Sequence, residues 1–350
     1  MPEDVAWLAA LSPWPEDGFG LERMHALLAA LDDPQLRYPA VHVVGTNGKS
    51  TATVTVEQLL LGEGLTVGAT ISPHVRAWEE RIRIGGRSAD LPAALRRVRQ
   101  AAESVGATQF EAITAAALTA FAAAEVDAAV VEAGLGGRHD ATNVLLSRVV
   151  LLTNVGLEHT DVLGDTVEEI AIEKLAVVHD DDTIVVLSDD TLVPLVPCGR
   201  IVVGGAREAA EAFVGHPLDG SVDVALPGRL ERRPGEVRDG AHNPDGIAWL
   251  LERLPRADYT VCASILADKD VGEMLRLLSS AGSRFVATES SNNRSLTASA
   301  LAERAREHFP HVEPVADPAA AVRRAHALGE PVLVVGSLYL LADLEAADAP

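Results

Sequence analysis

The 350-residue chain contains only two cysteines, Cys198 and Cys262. That excludes a disulfide scaffold and a zinc module. It has no uninterrupted apolar run of about 18 residues, the length that marks a membrane-spanning helix. Positive charge is short: 29 Lys plus Arg stand against 51 Asp plus Glu, a formal net charge of −22. No basic surface is on offer to neutralise phosphates, which argues against a nucleic-acid or anionic-membrane partner. The opening MPEDVAWLAALSPWPEDG has neither a basic stretch nor a long apolar one. This predicts no secretory leader, and the cytoplasm is the expected location. Lysine occurs only at Lys49, Lys174 and Lys269, and every other basic residue is arginine. A lysine kept against such a bias points to a need for an ammonium or amine in particular.

Hydrophobic residues make up 48% of the chain, enough to bury a substantial core, and the length suits two domains. Strand-like runs at 40–44, 66–71, 126–131, 149–155 and 183–187 alternate with helical stretches at 21–31, 51–62, 93–105 and 111–124. The alternation predicts an α/β fold with a mostly parallel sheet covered on both faces. The pattern weakens between 188 and 226, where Pro, Gly and Asp accumulate, and resumes from about 247. A boundary near Pro227 is expected, giving domains 1–226 and 227–350, the second smaller and again α/β.

The strand AVHVV runs into Gly45-Thr46-Asn47-Gly48-Lys49-Ser50-Thr51 and then a helix. Such a loop offers several backbone N–H groups to one phosphate, backed by the positive helix end. Lys49 is expected to reach the terminal phosphates of a nucleotide, and Ser50 to offer its hydroxyl to Mg²⁺. The strict phosphate-loop pattern places Gly where this chain has Val43, so the loop is a variant. Three further strands end in Ser72-Pro73-His74, in Glu132 before Ala133-Gly134-Leu135-Gly136-Gly137, and in Gly156-Leu157-Glu158-His159. Ligands of open parallel sheets lie beyond the carboxyl ends of the strands. Ser72, Glu132 and His159 are therefore expected to converge on the phosphates and on Mg²⁺, directly or through water. Lys174 has Val167, Ile170, Ala171 and Val178 as helical neighbours. Either its amine is desolvated with a lowered pKa, or the side chain snorkels to water.

In the second half, PGRLE (227–231) is followed by DGAHNP (239–244). Asp239 and His242 suit ribose hydroxyls or phosphates; alternatively Asp239 and Asn243 form a turn and a cap. Lys269 either binds an anionic substrate or makes local ion pairs.

Together, GFGLERM, HVVGTNGKS, ISPHV, ERIRIGG, FEAITAAALTAF, EAGLGGRHDATNV, GLEHTDVLGDTVEEIAIEK, PGRLE, DGAHNPDG, ILADKDV and VVGSLYL resemble the folylpolyglutamate synthase/dihydrofolate synthase family of the Mur ligase superfamily. The resemblance implies an ATPase domain of the Mur central type, a smaller Rossmann-like domain and a site in the cleft between them. It implies ATP-dependent amide formation, in which a folate or dihydropteroate carboxylate is phosphorylated and the acyl phosphate is attacked by L-glutamate. It places Lys49 and Ser50 in the phosphate loop and Ser72, Glu132 and His159 on magnesium. Lys174 matches a lysine often carried as a carbamate that bridges to magnesium. Arg229, Asp239 and His242 match nucleotide contacts. A monomer is expected, with ATP and Mg²⁺ as cofactors. The chain departs from the family in having Ser50-Thr51 where Gly-Ser is usual, and in being short between 188 and 226. There the family's adenine-holding helix is unrecognisable unless GGAREAAEAFVG is its remnant. A different acid substrate for a Mur-type ligase, or an ATP-binding relative with weakened catalysis, are the alternatives.

Overall fold

The structure is a computed structural model and describes residues 2–15 and 18–348. The chain divides into two compact units, Met1–Val224 and Ala225–Pro350. The expected outer limits, residues 1 and 350, lie outside the described residues.

The larger unit is built on strands β1 (Ala40–Val44), β2 (Val67–Thr70), β3 (Ile82–Ile84), β4 (Arg87–Ser88), β5 (Ala128–Glu132), β6 (Ser147–Leu152), β7 (Ile184–Leu187) and β8 (Arg200–Val203). Their order is β4-β3-β2-β5-β1-β6-β7-β8. All pairings are parallel except those of the β3–β4 hairpin at one edge. Around the sheet lie α1 (Glu3–Ala10), α2 (Glu22–Ala29), α3 (Lys49–Gly62), α4 (Leu91–Val105), α5 (Gln109–Ala123), α6 (Thr160–Leu163), α7 (Val167–Leu175) and α8 (Ala206–Val214).

Strand β1 is buried along its whole length because both of its faces are covered. Val41 and Val43 enter a core with Val56, Leu59 and Leu60 of α3, whereas Val44 packs with Ala171 and Leu175 of α7. That is the continuous apolar run a central parallel strand requires. The helices carry their own start signals: the Asp90 side chain caps α4, and Thr108 with Glu111 forms a capping box on α5.

The segment 188–226 is more ordered than its composition suggests. It supplies edge strand β8 and helix α8, whose Ala209, Ala210 and Phe213 pack against the α3 side of the sheet. Strand β8 is four residues long and Arg200, Ile201 and Val203 are exposed, so no buried apolar run marks it.

The smaller unit carries β9 (Glu231–Arg233), β10 (Glu236–Arg238), β11 (Thr260–Ala263), β12 (Arg284–Ala287), β13 (His311–Pro314) and β14 (Val332–Val335). Their order is β13-β12-β11-β14-β10-β9, parallel except for the β9–β10 hairpin. Its helices are α9 (Pro244–Arg253), α10 (Val271–Leu278), α11 (Ala298–Ala305), α12 (Pro318–Leu328) and α13 (Leu338–Asp348). The side chains of Asn243, Asp270, Thr297 and Asp317 cap α9 to α12. Both units have the expected α/β class. Among the described residues no helix is long and apolar enough to cross a membrane.

Candidate nucleotide and ligation site

The chain leaves β1 through Gly45 at φ 146° and enters α3 through Gly48 at φ 79°. Both values are glycine territory. Val43, which replaces the glycine of the strict pattern, is still a core strand residue with no exposure, so the turn simply starts two residues later. The first N–H groups of α3 have no partner within the helix and face whatever lies beyond the strand ends. Lys49 Nζ donates to Gly45 O at 3.0 Å and to Thr46 O at 3.1 Å. The lysine expected to reach outward to phosphates thus rests on the carbonyls of its own loop, which satisfy its ammonium.

Glu132 ends β5, the strand beside β1, and is almost fully buried. Its Oε1 accepts from Ser50 Oγ at 3.1 Å, and its Oε2 accepts from the Ser72 backbone N–H at 3.0 Å. Ser50, Ser72 and Glu132 therefore come together, Ser72 by its backbone amide. His159 stands at the start of α6 with φ 48°. Among the described residues no three or more His, Cys, Asp or Glu side chains gather as a metal-binding group. The donors that do meet are a buried carboxylate and a hydroxyl, oxygen chemistry that suits a hard divalent cation.

Lys174 is the sharpest feature. Its side chain is only 1% exposed, which excludes the snorkelling alternative. Its Nζ donates to Gly45 O at 2.9 Å and lies 3.7 Å from Glu158 Oε1. Two lysine ammoniums thus share one carbonyl oxygen, that of Gly45. Burial, reinforced by the charge of Lys49, pushes the Lys174 pKa down to about 8, against the opposing pull of Glu158 and Asp140.

Several residues that sequence reasoning did not single out build this site. Asp140, buried, accepts from Leu135 N at 2.7 Å and from the Thr142 hydroxyl at 2.5 Å, which holds the loop after Glu132. Burial raises its pKa. His42 Nε2 meets the same Thr142 hydroxyl at 2.7 Å. Burial pushes this histidine down to about 3, so it is neutral. A Cβ on Gly137 would stand 2.5 Å from Lys174 O, so this loop also fits against the end of α7. Glu158, adjacent to the singled-out His159, carried the one available signal.

In the smaller unit, Asp239 is buried and accepts from Leu230 N at 2.7 Å and Ala241 N at 2.8 Å. Burial raises its pKa, against these hydrogen bonds and the charge of Arg229. Gly240 N donates to Gly228 O at 2.8 Å, and His242 Nδ1 lies 2.8 Å from Gly240 O. Arg229, Asp239 and His242 are thus brought together where the PGRLE and DGAHN turns meet. Asn243 caps α9. In this geometry Asp239 and Asn243 act as turn and cap. Lys269 Nζ lies 3.8 Å from Asp268 Oδ2, a local ion pair.

Residues 43–197 match the family model of the Mur ligase middle domain, and residues 228–338 match that of the Mur ligase glutamate ligase domain. The chain is 31% identical over 405 residues to the dihydrofolate synthase/folylpolyglutamate synthase of Mycobacterium tuberculosis, covering 88% of this chain and 83% of that one. The fold superposes on crystal structures of Mycobacterium tuberculosis folylpolyglutamate synthase complexed with ADP and AMPPCP. The TM-score is 0.89 at 27% identity, over 99% of both chains. It also superposes on a crystal structure of a bifunctional folylpolyglutamate synthase/dihydrofolate synthase with Mn, AMPPNP and L-glutamate bound. There the TM-score is 0.85 at 27% identity, over 99% of this chain and 98% of that one. A Mur ligase middle domain and a Mur ligase glutamate ligase domain in one chain define an ATP-dependent Mur-type ligase. Within that class the chain belongs to the folylpolyglutamate synthase/dihydrofolate synthase family.

Proposed function

We propose that the protein joins L-glutamate to the carboxylate of dihydropteroate, of a reduced folate, or of both, acting as a monomer in the cytoplasm. The observation that carries the reading is the phosphate loop, with buried Lys174 and the Ser50–Glu132 pair against it, in a chain alike over 99% of its length to nucleotide-bound relatives. A carboxylate oxygen of the acid attacks the γ-phosphorus of ATP, the bond to the β–γ bridging oxygen breaks, and ADP leaves. The glutamate nitrogen then attacks the acyl carbon, inorganic phosphate departs, and the amine gives up a proton. Acid, ATP and glutamate are all anionic, so an acidic protein must supply local positive charge.

In this reading the loop from Gly45 to Thr51 forms the phosphate site, with the N–H groups from Gly48 onward donating to the phosphates while Thr46 and Asn47 are held by Asn154, and Lys49 swings from its own loop carbonyls to a phosphate oxygen. Arg229, Asp239 and His242 of the second unit are taken as nucleotide contacts, with the Asp239 carboxylate also holding their turn. Mg²⁺, when bound, neutralises phosphate charge; Ser50, Ser72, Glu132, His159 and Lys174 as a carbamate would hold it. A buried amine with a pKa of about 8 has a substantial neutral fraction near physiological pH. The neutral amine is the form that reacts with CO₂.

Incubation with ATP, Mg²⁺, L-glutamate and a panel of acids, followed by product mass, tests the proposal. A glutamyl adduct of dihydropteroate or a reduced folate, with ADP release, is expected. An adduct formed only with an unrelated acid would overturn the substrate. ATP binding without any adduct would overturn the ligase reading for this chain.

A further inference from the structure

We propose that Thr153 is a positioning residue for ATP: its hydroxyl locks the phosphate loop in its binding register through a space that Gly45 leaves open. The inference rests on the phosphate-loop reading above. Thr153 immediately follows β6, the strand beside β1. Its Oγ1 donates to Asn47 O at 2.7 Å, and its N–H donates to Val44 O at 3.0 Å. A Cβ built on Gly45 would collide with that same Oγ1. Gly45 and Thr153 are therefore a matched pair, one lacking a side chain where the other inserts its hydroxyl.

The neighbours complete the clamp. Thr46 N donates to Asn154 O at 3.0 Å, and Asn47 N donates to Asn154 Oδ1 at 2.7 Å. Gly156 N donates to Thr46 Oγ1 at 3.1 Å. The chain from 153 to 156 thus holds the loop by both its carbonyls and its amides. The amides of Thr46 and Asn47 are committed to this clamp. The anion is left to the N–H groups that open α3, from Gly48 onward, which have no helical partner. Their direction depends on the Asn47 peptide, and Thr153 is the side chain that fixes its carbonyl. Preorganised donors are effective only while they are held in place.

The test compares Thr153→Val, which keeps the shape and loses the hydroxyl, with Thr153→Ser, which keeps the hydroxyl. In the full-length enzyme Thr153→Val is expected to lower kcat/KM for ATP about tenfold, the equivalent of about 1.4 kcal/mol. Affinity for a non-hydrolysable ATP analogue should weaken in parallel, with the KM for glutamate unchanged. Thr153→Ser should recover the ATP dependence of the parent. If the valine variant does not fold, Thr153→Ala against Thr153→Ser carries the same comparison. Parental ATP kinetics in the hydroxyl-less variant would overturn the proposal. So would a serine variant as impaired as valine, or an equal loss for ATP and glutamate. A Lys49→Ala enzyme that still turns over ATP would instead overturn the phosphate-loop reading. Lys49 dependence with normal kinetics in Thr153→Val would overturn only the clamp.

Discussion

Replacing Lys174 by Met removes a buried ammonium while nearly preserving side-chain length and apolar bulk. The lysine pKa falls from 10.5 to about 8 on folding, chiefly through burial and then through the charge of Lys49. At about 1.4 kcal/mol per pH unit this difference corresponds to about 3 kcal/mol. The sign follows from proton binding. Below pH 8 both states are protonated, and the folded state bears the full cost of the buried charge. Between 8 and 10.5 the unfolded chain holds a proton that the folded chain has released, so stability rises with pH. Above 10.5 both are neutral and the contribution is flat. The methionine variant lacks this titration, and Glu158 is common to both proteins. The stability difference, wild type minus Lys174→Met, should therefore move about 3 kcal/mol toward wild type between pH 8 and 10.5.

Urea unfolding at a series of pH values measures this. Trp7, Trp14 and Trp78 lie in the larger unit and Trp249 in the smaller, so tryptophan fluorescence reports mainly the unit that contains Lys174. Bicarbonate near pH 8 should stabilise the wild type further, by converting the amine to a carbamate, and leave the variant unchanged. Lys174→Met should have lost ligase activity. Lys174→Arg, which keeps a charge but cannot form the carbamate, should be nearly inactive. A difference that stays flat across the window would refute the desolvation argument. A fully active arginine variant would refute the carbamate.

Lys49→Ala should abolish ATP turnover while changing stability by about 1 kcal/mol or less, since the side chain bonds only to loop carbonyls; turnover and urea unfolding of the variant check the two halves. Gly45→Ala combines a φ of 146° with a collision against Thr153, so a loss of at least about 2 kcal/mol is expected together with weak ATP binding, measurable by calorimetry. His326 lies 3.0 Å from Glu236 Oε2 and 2.8 Å from Glu330 Oε1. Burial opposes its protonation, but the two carboxylates outweigh that and raise its pKa above 6.5. The stability advantage of wild type over His326→Gln should be full below pH 6.5 and fade as pH rises through the raised value, read by hydrogen exchange in β10 and α12. An advantage that grows with pH would contradict the ion pair.

Chemistry compressed into contiguous residues was legible before any coordinates. The strand, two glycines, a lysine and a helix at 40–62 spell a strand–turn–helix because the backbone geometry needs glycine where φ is positive. Apolar strands alternating with helices announce a parallel sheet, and that places Ser72 and Glu132 at its carboxyl edge without further information. Lys174 on an apolar helical face already raised the question of its charge. What the sequence left undecided depended on groups distant along the chain. Whether Lys174 reaches water is settled by Gly45, 129 residues away, and by Glu158, because solvation is a property of the packed surroundings. Strand β8 and helix α8 hid in a segment rich in Pro, Gly and Asp, since an exposed edge strand needs no apolar run. Asp239 read as a ligand contact or as a turn, and the two backbone amides that bind its carboxylate come from residues the sequence does not point to. Thr153 carried no signal at all: a threonine after a strand is ordinary until the missing side chain of Gly45 is seen beside it. Local sequence sets which backbone shapes and charges are available, whereas pairing across the sheet decides which of them meet.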